Sequence, residues 1–347
     1  MTAPAPPGTP KGGDFPKRHH TVPKFYLERF AVDEQVELIY RDDFARSFPI
    51  NIDRALAENH FYSFETDDGW DPEFEKVLAL NIDDPASAAI RRMFDEGRAL
   101  NAPGPRETIS SFLAFQSVRG FRERHALVEH HKAVARKMAS MATPEMILRS
   151  ARDRGDEEMT AERSADAADF ARGGEYTIKV HQEASLHLGT VMPIVLKLAP
   201  HFYERTWRVL EFPSPCLVTS DAPIALVDED HRAPGSEGGF PFAQQILFPI
   251  DPQRALLMFR ADLEVEQGRY PAGARQAEVI NRHVAFSAHR FIVRKPGTDP
   301  LAGLTVPERA PAVYEVRDMI GLSVNQSVEA RAKVVEHMKR HGRPPRR

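Results

Sequence analysis

Two adjacent imidazoles, His19 and His20, stand just ahead of Pro23 and a short segment, Lys24 to Ala31, whose apolar residues recur at helical spacing. Phe25, Tyr26, Leu27 and Phe30 can bury a one- to two-turn helix, which would fix the histidines in place. Histidine changes charge near neutral pH, so an anchored pair is a candidate for proton transfer or metal ligation. Further along, Gln116 and Arg119 lie three residues apart on a helical pattern and share one face with Phe112, Leu113, Phe115 and Val118 around them. An arginine in such surroundings needs a carboxylate, because an unpaired buried guanidinium is prohibitively costly. Asp221 is the expected partner, since Thr219-Ser-Asp-Ala-Pro223 closes an apolar strand.

Brought into one cleft, these groups suit an anionic substrate. Arg119 would clamp it through two parallel hydrogen bonds. Gln116 would orient it, and His20 with Asp221 would handle protons or a divalent metal. Neighbours on an extended chain point opposite ways, so one histidine enters the site, and His20 beside the proline turn is preferred over His19. Glu58 is a second nearby carboxylate. Each assignment has a plainer counterpart: an Arg119–Asp221 bridge tying helices to sheet, a histidine bonded to a backbone carbonyl, and a solvent-facing Glu58.

Other constellations are weaker. Glu183 and His187 are four apart, but no second histidine completes a His-Glu-x-x-His zinc motif. His130 and His131 fall on a heavily charged helical stretch and read as solvated. The chain has no P-loop, Rossmann fingerprint or Gly-x-Ser-x-Gly elbow, and Gly235 to Gly239 reads as a loop rather than a phosphate cradle. The single cysteine, Cys216, excludes an internal disulfide and reads as an inert thiol in an apolar stretch. With the absence of an apolar export signal, this points to the cytoplasm. A net charge of -4 excludes a globally basic nucleic-acid binder while leaving room for a local basic groove. No apolar run is long enough to span a bilayer.

The elements that would position these residues fall into two characters. Val36 to Tyr40 and Phe61 to Phe64 read as short extended pieces. Helical patterns then begin at Asp71-Pro72, with Phe74, Val77, Leu78 and Ile82 on one face, and continue from Thr108 to about Ser140 and again from Thr143-Pro144. Asp156 to Gly174 is acidic and alanine-rich, and reads as a poorly packed helix or surface loop. His181 to His201 is again helical. From Tyr203 the period changes to strands at Arg205 to Glu211, Pro215 to Ser220, Ile224 to Val227, Ile246 to Ile250 and Ala255 to Phe259. A helix at Ala277 to Ala288 and a strand at Arg290 to Val293 close the pattern. Helices first and strands later predict an α+β fold, with a helical part (71–201) packed on a mixed or antiparallel sheet formed mainly by residues 203–295. Residues 17–325 are expected to form one domain. Residues 1–16, rich in Pro and Gly, read as a disordered tail, and 326–347 as a helix from Gln326 to His341 followed by basic residues.

Four landmarks together resemble a known family, the domain of unknown function 4238, over roughly residues 18–295. They are His19-His-Thr-Val-Pro-Lys-Phe-Tyr-Leu-Glu-Arg-Phe30, Glu58-Asn-His-Phe-Tyr62, Phe115-Gln-Ser-Val-Arg119, and Trp207 with Thr219-Ser-Asp-Ala-Pro223 and Phe248-Pro-Ile250 after it. Asn281 and Ala288 also fall where the family's last helix has such residues. The resemblance implies a shared fold and marked positions, and brings no activity with it.

From the residues themselves, the first functional expectation is a hydrolase acting on an anionic substrate, a phosphodiester or nucleic acid, with a divalent metal ion as the candidate cofactor. The alternative is a non-enzymatic binding module that grips an anionic ligand or peptide. No membrane partner and no specific protein partner is indicated.

Overall fold

The computed structural model describes residues 18–59, 64–66, 69–71, 79–173, 184–227, 240 and 243–305. Among them, helices and strands combine as an α+β fold. The expected tails, the Gln326 helix, most of the Phe61 and Asp71 segments and the Gly235 loop lie outside the described residues.

The chain enters through β1 (Arg18–His20), which pairs antiparallel with β4 (Ala57–Asn59) so that His19 opposes Glu58. Pro23 stands at the N-cap of α1 (Lys24–Leu27), which tightens into a 3-10 turn over Glu28–Phe30. This is the helix that the Phe25–Phe30 spacing predicts, and Tyr26, Leu27 and Phe30 are fully buried.

A four-stranded antiparallel sheet runs β3-β2-β13-β8, from β2 (Gln35–Tyr40), β3 (Asp43–Asn51), β13 (Phe291–Arg294) and β8 (Thr219–Ser220). The N-terminal hairpin thus supplies half of one sheet, beside the strands of residues 203–295 that are expected to form most of the sheet structure. A five-stranded sheet has the order β12-β7-β11-β10-β9, from β7 (Thr206–Glu211), β9 (Ala225–Val227), β10 (Gln245–Asp251), β11 (Arg254–Phe259) and β12 (Gly268–Pro271). Among the described strands, only β12 joins its neighbour in parallel. It is an edge strand ending in proline, tolerated there because an edge position leaves one side of the ladder unused. A small separate pair joins β5 (Phe64–Thr66) to β6 (Gly69–Asp71), and the residues just after Asp71, where a helix is expected to open, lie outside the described ones.

The helical part comprises α2 (Asp84–Ile90), flanked by wider turns at Ala79–Asp83 and Arg91–Asp95, then α3 (Pro103–Gln116), α4 (Phe121–Ser140), α5 (Pro144–Asp153), α6 (Ala161–Gly173) and α7 (Ala184–Tyr203). The long helix expected from Thr108 to Ser140 is two helices. Gly120, extended at φ -69° and ψ 165°, separates them and places Arg119 in the break. α5 begins as expected, with the Thr143 hydroxyl accepting from the Met146 amide and Pro144 in the first turn. Residues 161–173 of the acidic stretch settle as a helix whose buried residues are only Ser164 and Ala168. α8 (Ala274–Ser287) comes after the five-stranded sheet. No helix among the described residues is long and apolar enough to cross a membrane.

The larger apolar core lies between α1, α3, α7 and one face of the five-stranded sheet, around Phe30, Phe112, Phe115, Phe202, Trp207 and Phe248. The Tyr26 ring stacks on Phe248 at 5.0 Å, and Phe112 meets Phe248 edge-on at 6.2 Å. A second core joins α8 to the other face of that sheet and to β13, through Leu247, Leu257, Ile280, Val284 and Ile292.

Candidate functional site

The segment His20–Phe30 is held from two sides. From the end of α3 and the turn after it, Gln116 Nε2 donates to the Thr21 carbonyl at 3.0 Å, and Arg119 Nη2 donates to the His20 carbonyl at 2.8 Å. The three-residue spacing puts both donors on one face, as expected, but they grip the protein's own backbone. Arg119 is 3% exposed, and its Nη1 pairs with Asp83 Oδ1 at 2.9 Å. From the sheet, the Tyr26 hydroxyl donates to the Pro249 carbonyl at 2.6 Å and lies 2.7 Å from Thr219 Oγ1. Arg29 Nε donates to the Ile250 carbonyl at 3.0 Å.

Asp221 does not meet Arg119. It is 7% exposed, and its carboxylate accepts from the backbone amides of His289 at 2.7 Å, Arg290 at 2.6 Å and Phe291 at 3.0 Å. Those amides form the corner between α8 and β13. An ionised carboxylate suits such a cluster of donors, and the three bonds fasten this corner to the end of β8. The expected Arg119–Asp221 bridge is therefore replaced by two separate structural ties. Asp83, adjoining Asp84-Pro85 at the start of α2, carries no sequence signal that singles it out.

His20 Nε2 lies 2.9 Å from the Ile52 carbonyl, so that nitrogen carries the proton and the ring is oriented by backbone. Nearby, Lys24 Nζ meets Asp53 at 2.6 Å on the surface. The hydrogen bond from Lys24 lowers the Asp53 pKa, with a smaller contribution from His20. Glu58 is half-buried opposite His19 in the β1–β4 register. Among the described residues no group of three or more His, Cys, Asp or Glu side chains stands ready to hold a metal ion.

A different charged cluster emerges where the first and fourth landmarks meet. Arg29 Nη1 and Nη2 donate to Asp95 Oδ2 and Oδ1 at 3.0 and 2.7 Å, and Nη2 also reaches Asp251 Oδ2 at 3.3 Å. Arg254 Nε donates to Asp251 Oδ2 at 2.7 Å, Nη2 to Asp95 Oδ1 at 2.6 Å, and Nη1 to the Phe94 carbonyl. Two guanidiniums and two carboxylates thus alternate in a closed ring. Arg29, Asp251 and Arg254 line an open cleft of about 460 Å³ together with Glu211, Phe212, Pro252, Gln253 and Lys295. That volume is within the range of small-molecule sites. Glu211 is balanced by Arg269 at 3.3 Å, so among the described lining residues Lys295 is the charge in excess of the paired ones. Burial pushes the Asp95 carboxyl up, but hydrogen bonds from Arg29 and Arg254 and their charges outweigh it and hold the group below the usual carboxylate range.

Sequence patterns alone do not reveal this cluster. Its only local signal is a charged residue, Arg29, set between Leu27 and Phe30 in an otherwise apolar helix, and an acidic residue directly after Phe248-Pro-Ile250.

The model of one protein family, described as "Protein of unknown function (DUF4238)", matches residues 18–298. Comparison with curated proteins and with solved structures finds no match.

Two consequences are measurable. Arg119→Met leaves the Asp83 carboxylate without its guanidinium and the His20 carbonyl without its donor, so urea unfolding should show a loss of about 3 kcal/mol, the lower end for broken buried pairs. A loss under about 0.5 kcal/mol, the scale of ordinary surface changes, would contradict the structural role. The second consequence concerns acid. A carboxyl whose folded pKa lies below its unfolded value stabilises the protein above the unfolded pKa, about 4 for Asp, and loses that contribution as pH falls through the folded value. Asp95→Asn should cost about 1 kcal/mol at pH 7, the solvent-screened scale for a partly exposed group, and the cost should shrink toward pH 3. A cost that stays constant or grows on acidification would contradict the assignment.

Proposed function

The chain belongs to the DUF4238 family, and from that premise we propose that it is a binding module for a small anionic ligand, a carboxylate or phosphate, seated in the Arg29–Arg254–Lys295 cleft. One observation carries the reading: a half-buried ring of paired arginines and aspartates opens onto a small-molecule-sized cleft whose lining adds one further lysine. Within the ring, Asp95 and Asp251 hold the two guanidiniums rigid, so their remaining N–H donors are preorganised and little side-chain entropy is lost on binding. Lys295 supplies the charge in excess, and Phe212 and Pro252 give the cleft an apolar wall.

The hydrolase reading, with a phosphodiester or nucleic acid as substrate, needs Arg119 as the anion clamp and His20 with Asp221 for proton transfer. Those groups are engaged elsewhere: Arg119 with Asp83 and a carbonyl, Asp221 with three backbone amides. This favours binding over hydrolysis. Gln116, Arg119, His20 and the His19–Glu58 register then serve to position the landmark segment that carries Arg29.

The test is calorimetric titration of the full chain with inorganic phosphate, sulfate, citrate and a dinucleotide, beside a nuclease and phosphodiesterase assay with added divalent ions. The proposal expects saturable binding of at least one of the small anions, weakened tenfold or more in Lys295→Gln, with no turnover that His20→Ala abolishes. Binding indifferent to Lys295→Gln would overturn the site. Turnover lost in His20→Ala would restore the hydrolase.

A further inference from the structure

Successive residues of the five-stranded sheet alternate between its two faces. Ile246, Phe248, Leu256 and Met258 enter the main core, while Leu247 and Leu257 join the core built on α8. Beside α8 this second core borders a groove of about 450 Å³. Its walls carry two cross-strand rows, Val227–Gln245–Phe259 and Leu247–Leu257, with Val279 on the helix side. Val279 is 50% exposed, a large apolar side chain on the rim of an apolar groove. The polar groups of the described lining are Arg275, Gln276 and Gln245, with no carboxylate among them. Arg275 and Val279 are four residues apart and share one face of α8. Among the described residues nothing pairs with the Arg275 guanidinium. Glu278, the acid of α8, is committed to Arg282 at 2.8 Å. Gln276 Oε1 accepts from the Gly273 amide at 3.2 Å, which leaves its side-chain nitrogen to donate.

We propose that this groove binds a medium-chain fatty carboxylate, with its hydrocarbon chain along the Leu247–Leu257 and Phe259 wall and its head group on Arg275. The walls are complementary to the chain, because each methylene taken out of water tightens binding about fourfold. The lining is complementary to the head group in charge: its cation has no carboxylate to neutralise it, and the amide nitrogen of Gln276 adds a donor. A guanidinium–carboxylate hydrogen bond is charge-assisted and stronger than a neutral one. An alcohol of the same length would leave the guanidinium without a counter-charge, and an alkylammonium would be repelled by it. A volume of about 450 Å³ is within the range of small-molecule sites. The groove shares no described lining residue with the Arg29–Arg254–Lys295 cleft, and its apolar walls offer nothing to inorganic phosphate, so the two sites differ in the ligands they select.

The test is calorimetric titration of the full chain with octanoate, decanoate, 1-decanol and decylammonium, each below its aggregation threshold, beside methyl NMR of the leucine, isoleucine and valine side chains. Decanoate should bind at one site per chain, more tightly than octanoate and tenfold or more tightly than 1-decanol or decylammonium. It should shift the methyl signals of Leu247, Leu257, Val279 and Ile280. Arg275→Gln should weaken decanoate tenfold or more and leave 1-decanol unchanged, whereas Val279→Asn should weaken both several-fold. Both substitutions fall at exposed positions of α8, so the fold should survive them, and Arg282→Gln on the other side of that helix should leave decanoate binding as it is. Absence of decanoate binding overturns the proposal. Binding that is indifferent to Arg275→Gln, or decylammonium bound as tightly as decanoate, overturns it as well.

Discussion

The anchoring of the short helix Lys24–Phe30 is the constraint on which the rest depends. It is too short to be stable alone, since helix nucleation fixes several residues for one hydrogen bond. Burial of Tyr26, Leu27 and Phe30 supplies the driving force, and directional bonds set the position. Gln116 and Arg119 hold its leading strand from the helical side, while Tyr26 and Arg29 hold carbonyls of β10 on the sheet side. Helices and sheet are thereby joined through one segment. Its displacement would leave buried carbonyls of His20, Thr21, Pro249 and Ile250 without these donors, a cost of about 1–3 kcal/mol for each.

The same segment delivers Arg29 to the ionic ring. Four charges at partial burial are a weak source of net stability, because desolvation offsets much of their attraction. Their arrangement matters for another reason: each guanidinium is fixed by two carboxylates and by at least one backbone carbonyl, from Ile250 or Phe94. A surface held this rigidly is better suited to recognising an anion than a pair of freely rotating arginines would be.

Much of the fold is legible from periodicity. The strand at Val36–Tyr40, the change from helices to strands near residue 203, the last helix and the closing strand all occur within a few residues of where the sequence pattern puts them. The differences have identifiable causes. Gly120 splits a helical pattern that runs on beyond it in charged residues, and β12 hides its strand character behind Gly268 and Pro271. The hairpin strand β3 has no fully buried position, so it offers no clear alternation of buried and exposed residues. For the site, residue type correctly marks Gln116, Arg119 and Asp221 as buried polar groups needing partners, but type cannot choose among partners. Asp83 and three backbone amides fill roles that type alone assigns to side chains far away in sequence. The ring of Arg29, Asp95, Asp251 and Arg254 draws on residues up to 225 positions apart, and nothing local reveals it.

Anion binding in the cleft can be seen directly in a crystal of the full chain soaked in selenate, with the anion located by its anomalous scattering. The expected result is a peak in the cleft between Arg254 and Lys295, with the Arg29–Asp95–Arg254–Asp251 ring unchanged. A peak instead against His20, Gln116 and Arg119 would contradict it, as would a cleft that stays empty at saturating selenate.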